Sequence, residues 1–373
     1  MIKKIKGLRW WVISLIALAT VINYIDRFSL ALMWPNIAND LGISLDDAKH
    51  QYAIIANSFI IAYALGQLIS GRLYDYVGAR IGFVLSTVVW SVATGIHAFG
   101  QSVMHLAIFR SVLGVSEAGP WPGSVKSNAE WFPIKERAMA QGIFNAGASF
   151  GAVISAPLIA FLYLTFDWRL TFAIIALLGF LWVIPWLYIN RNTPDKHPWI
   201  TDEERNYILE GQRTANVGNT PDTEAKPLSI LELLTYRQTW SIVVARFFID
   251  PVWWMFLNWM PIYLFQVFNY DIKEIGASAW LPYVGAAAGS LLGGYISGNF
   301  IKQGRTLTYA RKMSVGIGAI ITIPGLILTA LQSDPWLAIY SMTLALFGVQ
   351  FALNTIQTLP GDFYAGKSVG TVA

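Results

Sequence analysis

Apolar residues along this chain neither alternate nor recur as one face of a helix. They come in runs of about 20, the length an α-helix needs to cross a bilayer. Ten runs can be marked, at residues 10–33, 51–70, 81–100, 104–125, 139–163, 170–190, 240–266, 275–300, 313–331 and 336–358. The first is too long, and too closely followed by others, for a cleavable signal peptide. Short polar stretches separate most runs, but residues 191–239 form one long polar segment. Its TDEERNYI stretch has a Thr-x-x-Glu opening, which predicts the capped start of a short amphipathic helix. TANVGNTPDTEAKP follows and reads as a linker.

The pattern predicts an all-α integral membrane protein of two helical bundles. Residues 1–190 form an N-terminal six-helix bundle, residues 191–239 a linker with its short helix, and residues 240–373 a C-terminal bundle with four helices. Six spans, a loop and six more is a common transporter plan, with the binding site near the midplane. The chain stops at VGTVA after the tenth run, so the second bundle is expected to lack its last two helices.

Composition agrees. Of 373 residues, 55% are hydrophobic and 13% charged, roughly half the charged share of a soluble domain. The absence of cysteine excludes disulfides, thiolate nucleophiles and cysteine-ligated metals. The four histidines, His50, His97, His105 and His197, show no metal-binding spacing, and no Ser–His arrangement suggests catalysis. No cofactor, metal or enzymatic activity is expected.

The net charge of +4 raises the question of nucleic acid, but the placement of the charges answers it. Of the 26 lysines and arginines, 20 fall in the N-terminal segment and the loops on one side of the spans. Only Lys49, Arg169 and Lys273 fall on the other side. By the positive-inside rule the 20-residue side is cytoplasmic, and the N-terminus with it. The basic balance reports topology, and no nucleic-acid partner is expected.

Against this apolar background, INYIDRFSLAL places Asp26 and Arg27 inside the first span, and FRSVLGVSEAGPWPG places Arg110 and Glu117 inside the fourth. A charge at the centre of a membrane helix costs at least about 2.5–3.5 kcal/mol, and the four together roughly 10 kcal/mol or more. Such groups persist when they face a wet cavity or one another. One alternative is a buried ion-pair clamp that fixes helix packing; the other is a substrate and proton pathway. Neighbours on a helix point about 100° apart, so Asp26 and Arg27 need partners from elsewhere. Arg110 and Glu117 share a face but stand about 10 Å apart along the axis. The economical expectation is that Asp26 meets Arg110, while Arg27 faces a hydrated chamber, free for an anion. Glu117 is then a second titrating group on the same face. An anion that takes over an arginine leaves the neighbouring carboxylate to bind a proton, so substrate and proton bind cooperatively. Arginine suits this role because its planar fork grips a carboxylate twice.

Other positions carry weaker signals. Gly114, Gly119 and Gly123 with Pro120 and Pro122 imply either a broken helix lining a cavity or close helix packing. Gly147 and Gly151, and Gly285, Gly289 and Gly293, have small-residue spacing that favours packing. Asn145, polar on an apolar helix, can bond a substrate hydroxyl. Trp253, Trp254, Trp259 and Asn258 suit a sugar-binding wall or an interfacial belt equally. Arg246 and Asp250, four apart, can pair along their helix. Tyr63 is expected to face the cavity, and Gln350 and Asn354 share a face at depth.

GRLYDYVGAR resembles the signature loop between spans two and three of the major facilitator superfamily, through Gly71, Asp75, Gly78 and Arg80. The resemblance implies a cytoplasmic gate latch there. The counterpart GGYISGNFIKQG has Gly298 where an acid often stands. NYIDR, RSVLGVSEAGPWPG, EWFPIKERA, FNAGASFGA, TDEER, RFFIDPVWW and ARK resemble the anion:cation symporter family within it, over nearly the whole chain. KKIKGLRWW and ARKMSVGIGAI look nearest to its bacterial hexuronate branch. The resemblance implies contact of Arg27 and Tyr63 with an anionic substrate and roles for Asp26, Arg110 and Glu117 in proton coupling. Ala148, where aldonate and aldarate carriers tend to have glutamine, implies galacturonate or glucuronate. The function expected is therefore proton-coupled symport of a hexuronate by a monomer in the bacterial inner membrane. An aldonate, aldarate or other organic-anion symporter is the alternative within the class. A non-transporting sensor or inactive remnant is the alternative outside it.

Overall fold

In a computed structural model the protein is described at residues 4–217, 230–357 and 359. The chain runs through α1 (Leu8–Asp40), α2 (Leu45–Ile96), α3 (Val103–Glu117), α4 (Pro120–Trp131), α5 (Ile134–Ile189) and α6 (Asp202–Val217). It continues through α7 (Ile230–Leu233), α8 (Arg237–Phe268), α9 (Ile272–Ser278), α10 (Leu281–Lys302), α11 (Leu307–Leu331) and α12 (Pro335–Ile356). Among the described residues there is no strand beyond a lone parallel bridge between Ile5 and Ile200.

Eight stretches of the described residues are long and apolar enough to cross a membrane. The difference from ten has two sources. Residues 140–189 count as one stretch, yet the helix breaks at Asp167, whose φ of 71° and ψ of 177° are non-helical. The fourth expected span is divided into α3 and α4, of 15 and 12 residues, each too short alone. Pro120 begins α4, and with no N–H to donate it ends the ladder of α3. The outward side chains of α2, among them Ile61, Leu65, Leu68 and Ile69, are exposed and apolar. Apolar surface at this density fits lipid, not water.

The long α2 is also two helices. Gly78, with φ 80° and ψ 162°, sits in a backbone region essentially reserved for glycine, and the chain reverses there into its next span. That Gly78 belongs to the GRLYDYVGAR loop explains why the motif needs a glycine at this place. Arg80 beyond it is exposed, and its carbonyl accepts from Trp186 Nε1 at 2.9 Å.

The chain divides into two compact units. The first holds residues to Gly151 and from Ile159 through α6; the second holds α7 onward together with Ala152–Leu158. In the first, α3 and α4 pack on α2 and α1. A Cβ at Gly147 or Gly151 would meet the backbone of Ala17 or Val21, so α5 touches α1 directly. In the second, α12 packs on α10, α11 and α8. The ion pair expected from spacing joins Arg246 Nε to Asp250 Oδ2 at 2.8 Å.

The amphipathic helix predicted in the linker is α6, which begins at Asp202 and runs to Val217, into the stretch expected as linker. The rest of that stretch lies outside the described residues, as do residues 360–373, where the chain's ending was expected to fall. α6 docks on the start of α1. Glu204 accepts from the backbone N–H of Gly7, Leu8 and Arg9 at 2.8, 3.0 and 3.2 Å. These are donors a helix N-terminus leaves unpaired, so a carboxylate almost 200 residues away caps the first span. Arg9 completes the junction, pairing with Glu204 at 2.7 Å and Glu136 at 2.9 Å.

Candidate functional site

The charged residues of the first and fourth spans do come together. Arg27 Nε donates to Glu117 Oε2 at 2.8 Å. Arg110 donates to two backbone carbonyls of α1, those of Asp26 at 3.3 Å and Arg27 at 3.1 Å. Mid-helix carbonyls keep a second lone pair after their helical bond, so they can take these donors without breaking α1. Asp26 Oδ1 accepts from Thr94 Oγ1 on α2 at 2.8 Å. The four charged residues are at most 5% exposed.

Tyr63 joins them. The Arg27 guanidinium lies 4.7 Å from the Tyr63 ring centroid, 5.3 Å from Tyr24 and 5.8 Å from Phe59. Phe59 also lies 5.5 Å from the Arg110 guanidinium. Aromatic faces offer negative charge to a cation without carrying a full one, which lowers the cost of burying two arginines together. Gly114 sets the level of this wall. A Cβ there would lie 2.6 Å from Phe59 O and 3.0 Å from Tyr63 N, so α2 and α3 meet backbone to backbone.

Three expectations are corrected by this arrangement. The Asp26 carboxylate does not bond Arg110; its bond is to Thr94. Arg27 does not stand free before a chamber, because Glu117 holds it. And the charged groups, expected to flank a hydrated chamber, are buried against one another and the surrounding aromatics. The physical reason is stagger. Arg110 lies level with the α1 backbone and is used up on its carbonyls. Glu117, about 10 Å further along α3, falls at the level of the Arg27 side chain.

Asn145 is half-buried on α5 within the first unit. Of the gate motif, Gly71 lies on the first half of α2, Gly78 makes the break and Arg80 opens the second half. The backbone of Asp75 is helical. The remaining candidates sit in the second unit. Trp253 is buried edge-on against Tyr283 at 5.8 Å, which argues against an interfacial belt for that residue. Asn258 donates to the carbonyl of Trp254 at 2.9 Å. Asn354 donates to Ser290 O at 2.9 Å and ties α12 to α10. Gln350 is half-buried one turn before it.

Sequence reading missed Thr94, Phe59, Tyr24 and Asn23. Asn23 is buried beside Glu117 and precedes Asp26 by three residues, one turn on the same face. That spacing was a usable signal. Thr94 gave none, being one of several hydroxyl residues in an apolar span.

The Major Facilitator Superfamily model matches residues 16–373. A hexuronate transporter of Escherichia coli (strain K12) is 37% identical over 99% of this chain and 83% of its own length. A galacturonate transporter of Dickeya chrysanthemi is 34% identical over 90% of this chain and 95% of its own. Among solved structures, a bacterial homologue of the human lysosomal transporter Spinster, inward-facing and unoccupied, superposes with a TM-score of 0.74. At 21% identity over 99% of this chain and 78% of that one, it bears on the fold alone. The helical fold, the apolar spans and these matches agree: the chain is a membrane transporter of the Major Facilitator Superfamily.

Proposed function

We propose that the protein imports a hexuronate, galacturonate or glucuronate, in symport with protons, across the bacterial inner membrane. The observation that carries this reading is the buried Arg27–Glu117 pair, 2.8 Å long, in a chain 37% identical to a hexuronate transporter. A sugar acid brings one carboxylate. It can replace Glu117 on Arg27, because both present the same planar acceptor to the same guanidinium. Glu117, left buried without its cation, takes a proton, since an unpaired charge there is too costly to keep. Substrate and proton thereby enter together. Tyr63, beside the guanidinium, offers a hydroxyl and a ring face to the sugar. Arg110 anchors the α1 backbone while Arg27 changes partner. Asp26, held by Thr94, is a second proton site. Asn145 is a further candidate for a substrate hydroxyl, and Trp253, Asn258, Gln350 and Asn354 are candidates for hydroxyl and ring contacts. The Gly71–Arg80 loop acts as the gate latch, the N-terminus is cytoplasmic and the working unit is a monomer.

The test is reconstitution in liposomes. Galacturonate uptake should follow an imposed pH gradient, acid outside, and collapse with a protonophore. Uptake indifferent to the gradient would remove proton coupling. Counterflow inhibited by aldarates but not by hexuronates would reassign the substrate.

A further inference from the structure

We propose that His97 is a proton relay, taking protons from solvent at Nε2 and passing them inward to Asp26. The inference rests on the proton-coupled reading above. His97 is fully buried in the 3₁₀ turn His97–Phe99 that ends α2, and the transport scheme does not use it. Its Nδ1 lies 2.6 Å from the carbonyl of Ala93. A carbonyl only accepts, so Nδ1 carries the hydrogen and Nε2 presents a lone pair. That Nε2 is buried without a hydrogen-bond partner. The ring stacks on Phe172 at 5.0 Å and meets Phe109 edge-on at 5.7 Å, an apolar setting that a phenylalanine would fill. An orphaned acceptor in such a setting costs stability, so an imidazole here needs a reason.

Its two neighbourhoods supply one. Outward lies a cavity of about 420 Å³, lined by Ala98, Phe99, Gln101, Asp167, Arg169 and Leu170. Ala98 follows His97 in the chain, and Phe172, on which the ring stacks, lies in sequence between the lining residues Leu170 and Ala173 of α5. Inward, Thr94 is about one helical turn away on the same face. Its hydroxyl holds Asp26 Oδ1 at 2.8 Å, and Asp26 Oδ2 has no hydrogen-bond partner. An orphaned acceptor on the residue next to the cavity lining and an orphaned carboxylate oxygen held through Thr94 are thus linked by one turn of α2.

In the step itself, Nε2 accepts a proton from water in the cavity, giving the imidazolium. The imidazolium then turns about its Cβ–Cγ bond, leaving Ala93 for that moment, and the same nitrogen releases the proton to Asp26 Oδ2, which becomes the carboxylic acid. The neutral ring turns back and Nδ1–H bonds Ala93 again. The charged groups facing His97 are Arg110 from α3 and, by way of Thr94, Asp26 from α1. From α5 it meets Phe172, with Asp167 and Arg169 at the cavity. Arg110 repels a second positive charge, so the proton moves on and is not stored.

Two assays on reconstituted protein separate a relay from a structural residue. Galacturonate uptake driven by an inward proton gradient requires net proton entry; galacturonate counterflow at equal pH does not. For His97→Gln, gradient-driven uptake should fall on the order of a hundredfold, the usual worth of a positioned acid–base group, while counterflow persists. Loss of both, or of neither, overturns the relay. Thr94→Val, nearly isosteric, tests the inward step independently should His97→Gln not fold. It should lower gradient-driven uptake more than counterflow, and equal effects on the two in a folded Thr94→Val protein also overturn the proposal. Unsubstituted protein that ignores the gradient while supporting counterflow would instead overturn proton coupling itself.

Discussion

Arg27 on the first span and Glu117 on the fourth form an ion pair of 2.8 Å with both side chains buried. Removing one partner strands the other charge, at a cost of about 3–5 kcal/mol. Arg27→Ala should therefore lower the melting temperature in detergent markedly and abolish galacturonate binding. Arg27→Met combined with Glu117→Leu should recover most of the stability and none of the binding. A single Arg27→Ala protein that melts like the parent would show that the pair is not a stability element.

If substrate competes with Glu117 for the guanidinium, Glu117→Gln removes the competitor. Its galacturonate affinity, followed by calorimetry, should equal or exceed the parent's and stay flat with pH. The parent's affinity should rise as pH falls, because a proton on Glu117 frees Arg27. A parent affinity that weakens on acidification would contradict the exchange of partners.

The spans were legible because bilayer thickness fixes the length of an apolar run, and the pairing of Arg246 with Asp250 because both lie on one helix. Which residue Arg27 would meet was not. That depends on the rotation and axial stagger of α1 against α3, and spacing within either helix is silent on both. The break at Gly78 was visible as a glycine in a known loop motif. The break at Asp167 was visible only as a gap between runs, since aspartate at φ 71° is uncommon and no local pattern marks it. Glu204 was recognised as part of a helix start. That it also caps α1 depends on a contact across almost 200 residues.

The glycines of α10 divide by what faces them. A Cβ at Gly289 would fall on the carbonyl of Phe347, backbone that cannot swing aside, whereas Gly298 faces open space. Gly289→Ala should push α10 from α12 and cost about 1–3 kcal/mol. Gly298→Ala, on the same helix, should be neutral or slightly stabilising, since alanine is the better helix former. Paired melting curves check this, and equal effects would disprove contact-limited packing.

Glu204→Ala uncaps α1, leaving three N–H groups without their acceptor and Arg9 with Glu136 alone. A lost cap costs about 0.5–2 kcal/mol. Earlier proteolysis of the linker should accompany the drop in melting temperature, because α6 loses its hold on α1. Lys4→Ala breaks the exposed bridge to Asp202 of the same junction. It should change little, as exposed pairs contribute about 0–1 kcal/mol.

His197, in the segment between α5 and α6, is held neutral. Its Nε2–H donates to Ile189 O at 2.9 Å, and its Nδ1 accepts from the N–H of Trp199 at 3.2 Å. Burial first, then the nearby Arg191 and Arg205, hold its proton affinity below the ordinary histidine value of 6.5. Below that pH the unfolded chain binds a proton that the folded chain refuses, so acid favours unfolding. The contribution is complete above about pH 6.5 and fades as pH falls toward the depressed folded value. Protonation would also put a hydrogen on Nδ1, against the N–H of Trp199. The junction that binds α6 should therefore loosen between pH 7 and 5, seen as faster cleavage in the linker by an acid-tolerant protease. In His197→Asn that pH dependence should flatten, with lower protection throughout, because asparagine restores some of the hydrogen bonding but has no proton to gain. Cleavage that accelerates equally with acid in both proteins would assign the effect to another group.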